Sequence, residues 1–197
     1  MDQDVKIMAE PKDAETCRFQ VDRPVFPRRS YYFGSEEKAE ASPLAKRLFE
    51  IEGVRAVLVH HNTVTVSTWG TADWLPVAKQ IGAAIRDALS SPDVPIPESL
   101  LAGLPSESEI RDKVQKLLDH EINPAVASHG GRVQLIGVKG NEVYLQLGGG
   151  CQGCGMVDVT LKHGIEKAIR EAVPEVGAIL DETDHASGTN PYYEAAR

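Results

Sequence analysis

Cys151 and Cys154 stand three residues apart in Gly148-Gly149-Gly150-Cys151-Gln152-Gly153-Cys154-Gly155-Met156, where five of nine residues are glycine. That offset brings two thiols to one side of a turn. There they can chelate one metal atom, bind two irons of one cluster, or close a disulfide. The glycines lack the Cβ that would hold the backbone away from an inorganic core, and their N–H groups can face sulfide. Two thiolates are only half of a four-coordinate site, whether tetrahedral zinc or an iron-sulfur cluster. No neighbouring Asp, Glu or His completes a mononuclear site, and His163 lies nine residues beyond Cys154. Two copies meeting on a two-fold axis, each giving Cys151 and Cys154, supply four ligands. A site spanning two chains is more exposed and easier to dismantle than one closed inside a domain, which suits transfer better than storage. The motif alone leaves three readings open: a cluster half-site, a zinc half-site and a redox dithiol. The dithiol in its thioredoxin-like form needs a βαβ context and a later cis-proline loop. Here a hairpin pattern precedes the motif and no second βαβ pattern follows.

The elements that must hold this loop are legible on both sides of it. Ahead of it, Arg132 to Lys139 and Glu142 to Leu147 predict a hairpin about Gly140-Asn141, with Val143, Leu145 and Leu147 on one face and Tyr144 and Gln146 on the other. Behind it, Val157, Leu161, Ile165, Ala168, Ile169 and Ala172 predict an amphipathic helix that Pro174 terminates. The positive end of that helix faces the loop and favours thiolate over thiol. Upstream, Ser106-Glu107-Ser108-Glu109 is a capping box, and Ile110, Val114, Leu117, Leu118 and Ile122 mark the buried side of a helix expected to stop before Asn123-Pro124. Val176 to Leu180 predicts a last strand. The fold class expected is α/β (α+β), with an α-β-β-α-β second domain and the Cys-x-x-Cys loop between strand and helix.

The first half predicts a second small domain. Cys17 to Val21 and Ser30 to Phe33 are short strand candidates separated by Pro24 and Pro27. Ser42-Pro43 opens a helix carrying Leu44, Leu48 and Ile51, and Gly53 ends it. Val54 to His60 and Thr63 to Ser67 form a hairpin pattern about His61-Asn62. Asp73 caps a helix whose stripe is Trp74, Val77, Ile81, Ile85 and Leu89. Pro92, Pro95, Pro97 and Pro105 then suit a semi-extended linker. The organisation expected is a flexible tail over 1–14, a first domain over 15–90, a linker over 91–105, a second domain over 106–182 and a C-terminal tail over 183–197.

A net charge of −8 and a pI near 5.3 argue against binding nucleic acid backbones. No apolar run reaches membrane-spanning length, and the first eleven residues lack a signal-peptide core, so a cytoplasmic location and no membrane partner are expected. Three cysteines, two of them in one Cys-x-x-Cys, do not make the disulfide framework of a secreted domain. Cys17 has no cysteine near it in sequence and is expected to be a buried, inert thiol. His60 and His61, as strand neighbours, point to opposite faces and chelate poorly. His129, before Gly130-Gly131, is expected to support a turn, and Trp69 and Trp74 to lie in the core. Tyr192-Tyr193 is either a partner contact or part of a disordered end.

The motifs Ile122-Asn123-Pro124, His129-Gly130-Gly131-Arg132-Val133, Gly148 through Cys154 and Thr160-Leu161-Lys162-His163-Gly164-Ile165-Glu166 occur in this order. In order and spacing they closely resemble the NifU C-terminal (Nfu) domain, over about Glu109 to Asp181. The segment Ser42 to Val54 and Ala72-Asp73-Trp74 are similar to the N-terminal domain of mitochondrial-type Nfu proteins. The ending from Asp184-His185 to Tyr192-Tyr193 resembles the tail of NfuA-type carriers, whose front half differs from the one here. The resemblance implies a non-enzymatic iron-sulfur scaffold or carrier. It implies one 4Fe-4S cluster per homodimer, bridged by Cys151 and Cys154 of each protomer, received from an upstream donor and passed to apo-protein clients.

Overall fold

The computed structural model describes residues 5–70, 73–128, 130–149 and 155–182. The chain divides into two units, Met1–Leu104 and Pro105–Arg197. Each has its own sheet and its own apolar core.

The first sheet consists of β1 (Ile7–Pro11), β2 (Thr16–Val21), β3 (Phe26–Phe33), β4 (Val54–His61) and β5 (Thr63–Thr68), and buried residues alternate with less buried ones most clearly along β2 and β5. Its order is β1-β2-β5-β4-β3, antiparallel throughout. Cys17, Phe19 and Val21 of β2, Val64 and Val66 of β5, and Val57 and Val59 of β4 bury one face. The helices against that face come after α1 (Glu36–Ala39); they are α2 (Pro43–Phe49) and α3 (Trp74–Ser90). Leu44, Leu48, Ile81 and Ile85 of α2 and α3 share the core with the sheet. Ser42 caps α2 by accepting from the Ala45 N–H, and Asp73 caps α3 through the Leu75 N–H.

Three expectations for this unit are corrected. The segment expected as part of a tail contains β1, which pairs with β2 from Ile7↔Val21 to Pro11↔Cys17, and Val5 is buried. Periodicity is weak there because β1 is an edge strand: Met8 and Ala9 stay exposed, and pairing rather than burial holds the strand. The proline-rich stretch is not a free linker over its whole length. Ile96 is buried in the first core, and Pro95 accepts hydrogen bonds from Ser42 Oγ (2.7 Å) and the Leu44 N–H (3.1 Å). A 3₁₀ turn, Glu98–Leu101, then packs Leu100 and Leu101 on the same core. Proline marked this chain as irregular, but irregular backbone can still be docked. Trp69 is not core either. It is 72% exposed, with the Arg55 guanidinium 5.6 Å from its ring centroid. Trp74 is half-buried and donates its indole N–H to the Asp13 carbonyl.

The second unit runs α4 (Glu107–Leu117), a π-helical turn (Leu118–Ile122), α5 (Asn123–Ala127), β6 (Gly131–Lys139), β7 (Glu142–Gly149), α6 (Gly155–Ala172) and β8 (Ile179–Asp181). The capping box forms at α4: Glu109 Oε2 accepts from the Ser106 N–H at 2.8 Å, and Ser106 Oγ from the Glu109 N–H at 3.3 Å. The helix does not stop before Asn123-Pro124 as expected. The Asn123 N–H bonds the Leu118 carbonyl five residues back, and Pro124 then falls in the first turn of α5, where its missing N–H costs least. β6 and β7 pair antiparallel, β7 and β8 parallel, with α6 as the crossover between the latter two. Ile110, Val114 and Leu118 meet Val143, Leu145 and Leu147 of β7 and Ile165 and Ile169 of α6 in one core.

Candidate metal centre

Cys151 and Cys154 lie outside the described residues, as do His129 and the tail motif from Asp184 to Tyr193. What the structure describes is the frame on either side: β7 runs to Gly149, and α6 begins at Gly155.

The β7 side is held by the hairpin. Its turn at Gly140-Asn141 needs glycine, because Gly140 adopts φ +62°. At the other end Arg132 pairs with Gly148 and Gly131 with Gly149, the last described rungs before Cys151. A Cβ at Gly148 would lie 3.8 Å from the Arg132 carbonyl oxygen, an ordinary contact. The hairpin itself therefore does not demand glycine at 148. Outside the hairpin, Asn123 grips Val133 with both arms of its side-chain amide. Oδ1 accepts from the Val133 N–H at 2.8 Å, and Nδ2 donates to the Val133 carbonyl at 3.0 Å.

The α6 side is held by packing and by an ion pair. Ile165 and Ile169 are buried, Lys162 Nζ sits 2.6 Å from Asp181 Oδ2 of β8, and Arg170 donates to the Val176 carbonyl at 2.9 Å. A shallow pocket between α6 and β7–β8 is lined by Leu145, Leu147, Ile165, Glu166 and Ile179. Burial against these apolar groups pushes the Glu166 carboxyl above its ordinary value, and the charges of Arg170, His163 and Lys162 pull only partly the other way.

The remaining ligand candidates do not assemble. Cys17 is fully buried on β2, and burial pushes its thiol up, the reverse of what a metal-binding thiolate needs. His60 is half-buried and His61 exposed with φ +53°, at the tip of the β4–β5 hairpin. His163 is exposed on α6. Among the described residues no group of three His, Cys, Asp or Glu side chains could hold a metal ion. The Asn123 clamp and the Lys162–Asp181 pair were missed in the sequence. Both join residues far apart in sequence, and only Asn123, beside a proline within a helical pattern, left a hint.

Comparison with known proteins decides the family. Residues 5–92 match the family described as "Scaffold protein Nfu/NifU N terminal", and residues 114–180 match "NifU-like domain". The chain belongs to the NifU/Nfu family. The NifU-like match includes Cys151, Cys154 and both elements that frame them, and the Nfu N-terminal match includes all of β1. The Fe/S biogenesis protein NfuA of Pseudomonas aeruginosa is 50% identical over 88 residues, which are 44% of this chain and 45% of that protein. NfuA of Teredinibacter turnerae is 44% identical over 98 residues, 49% of this chain and 50% of that protein. The chain thus spans about half the length of the curated relatives it matches. A NifU-like protein from Saccharomyces cerevisiae, solved by NMR, is 14% identical with a TM-score of 0.42, covering 50% of this chain and 90% of that one. That likeness is too loose to carry weight.

Proposed function

We propose that the protein is a cytoplasmic iron-sulfur carrier whose cargo is a 4Fe-4S cluster bridged between two protomers by Cys151 and Cys154 of each. The observation that carries this is the coincidence of the Cys-x-x-Cys with the NifU-like match, in a chain whose remaining cysteine is buried. The chemistry of the donor set fits the cargo. Two soft thiolates per chain become four in a dimer, the glycines admit the backbone close to sulfide, and α6 turns the positive end of its dipole toward the segment before Gly155. The protein has no catalytic turnover on this account. An upstream donor loads it, and client thiolates replace Cys151 and Cys154 one at a time, each exchange trading one iron–thiolate bond for another without change of oxidation state. Nfu-family membership and the NfuA relatives support the iron-sulfur role; the bridge rests on ligand arithmetic.

Metal analysis of anaerobically purified protein tests the proposal. Iron and sulfide bound to wild type, and lost in Cys151→Ser and Cys154→Ser, support it. Colourless protein with about half a zinc per chain would make the motif a zinc-bridged dimerisation site. Metal-free protein that reduces insulin disulfides would make it a dithiol oxidoreductase.

A further inference from the structure

The β6 edge of the second sheet carries a device that neither the family match nor the ligand arithmetic explains. Val133 directs its N–H and its carbonyl to Asn123, so neither is spent on β7. Val133 and Leu147 are therefore a non-hydrogen-bonded antiparallel pair, and the neighbouring Arg132↔Gly148 pair is where the two strands exchange hydrogen bonds. Asn123 thus anchors the strand directly beside the last described rungs before Cys151.

Asn123 reaches that position because of the π-turn. Its N–H bonds Leu118, five residues back rather than four. One extra residue in the turn rotates α5 by about 100° relative to a regular helix. The turn keeps Ile122 and Val126 in the same core as Ile110, Val114 and Leu118, while regular bonding would swing the Asn123 amide off β6. A local departure from α-helical bonding that delivers one side chain to one strand residue is a placed feature.

We propose that Asn123 is a positioning residue for the Cys151–Cys154 thiols. Acting through Val133 and the Arg132↔Gly148 pair, it fixes the end of β7 from which the cysteine segment departs. Its consequence for cargo rests on the carrier function proposed above; its effect on the thiols does not.

The test uses the full-length, metal-free chain. The rates at which iodoacetamide alkylates Cys151 and Cys154 are measured separately by peptide mass spectrometry, with circular dichroism confirming the fold. Asn123→Ala should change the Cys151:Cys154 rate ratio by about fivefold, equivalent to about 1 kcal/mol of lost restraint at 1.4 kcal/mol per tenfold. Val138→Ala, which removes buried side chain at the opposite end of the same hairpin, should leave the ratio within about twofold of wild type. If Asn123→Ala does not fold, Asn123→Asp serves: it keeps an acceptor for the Val133 N–H, sets a carboxylate against the Val133 carbonyl, and should shift the ratio in the same direction. A ratio unchanged by the Asn123 variant, or shifted equally by Val138→Ala, overturns the proposal. Iron analysis of the wild type fails or succeeds independently, so a failed carrier function cannot be mistaken for a failed clamp.

Discussion

Cys17 shows how burial separates thiols that composition counts together. At 0% exposure on β2, with its thiol pushed up by desolvation, it is packing material. Cys17→Ala should cost the protein about 1 kcal/mol through the small cavity it leaves and should not change iron content after reconstitution. Loss of iron in that variant, at an unchanged fold, would return Cys17 to the ligand set. Glu166 is the complementary case, a carboxyl pushed up by its apolar surroundings. Its folded-state value lies above the unfolded one, so the folded protein holds the proton more tightly. Its contribution to stability is greatest below the ordinary value of 4.5 and falls as pH rises through the folded value. Glu166→Gln keeps the shape and removes the charge. The variant should therefore melt higher than wild type near pH 7, with the gap closing toward pH 4. Thermal melts across that range that run parallel, or a variant less stable at pH 7, would refute the assignment.

At the scale of elements, the β6–β7 hairpin depends on a turn that only glycine enters without strain. Gly140 has φ +62° and open space where a Cβ would stand, so Gly140→Ala meets backbone strain and no clash. The cost should be about 1–2 kcal/mol, read as a lower denaturation midpoint with unchanged slope. A neutral substitution would mean that the turn relaxes freely. Most of this unit was legible in sequence. The capping box, the Gly140-Asn141 turn, the alternation of Val143, Leu145 and Leu147, and the helical stripe through Ile165 and Ile169 each follow from local chemistry. The π-turn was not, because proline biases the preceding residue away from helix and nothing local reports that Asn123 has a partner ten residues on. In the first unit β1 and Ile96 were illegible for the same reason. An edge strand shows little alternation, and a proline-rich stretch does not declare that one apolar side chain in it is buried. Trp69 was misplaced because size and apolarity predict burial, while a ring can equally lie on the surface beneath a guanidinium. Of the site, the frame on either side of the cysteine segment was legible, and the clamp that holds the frame was not.

At the scale of the whole molecule, two units with separate cores share one chain, and both match the NifU/Nfu family. Among the described residues no helix is long and apolar enough to cross a membrane. The second unit carries two thiols where a cluster needs four, so the central claim is that one cluster requires two chains. Iron, sulfide and molecular mass, measured together on the anaerobically reconstituted full-length protein, test this most directly. The account predicts about four irons and four sulfides per two chains in a species of dimer mass, with Cys151→Ser losing both the metal and the dimer. A cluster retained at the same iron content by a monomer would contradict it.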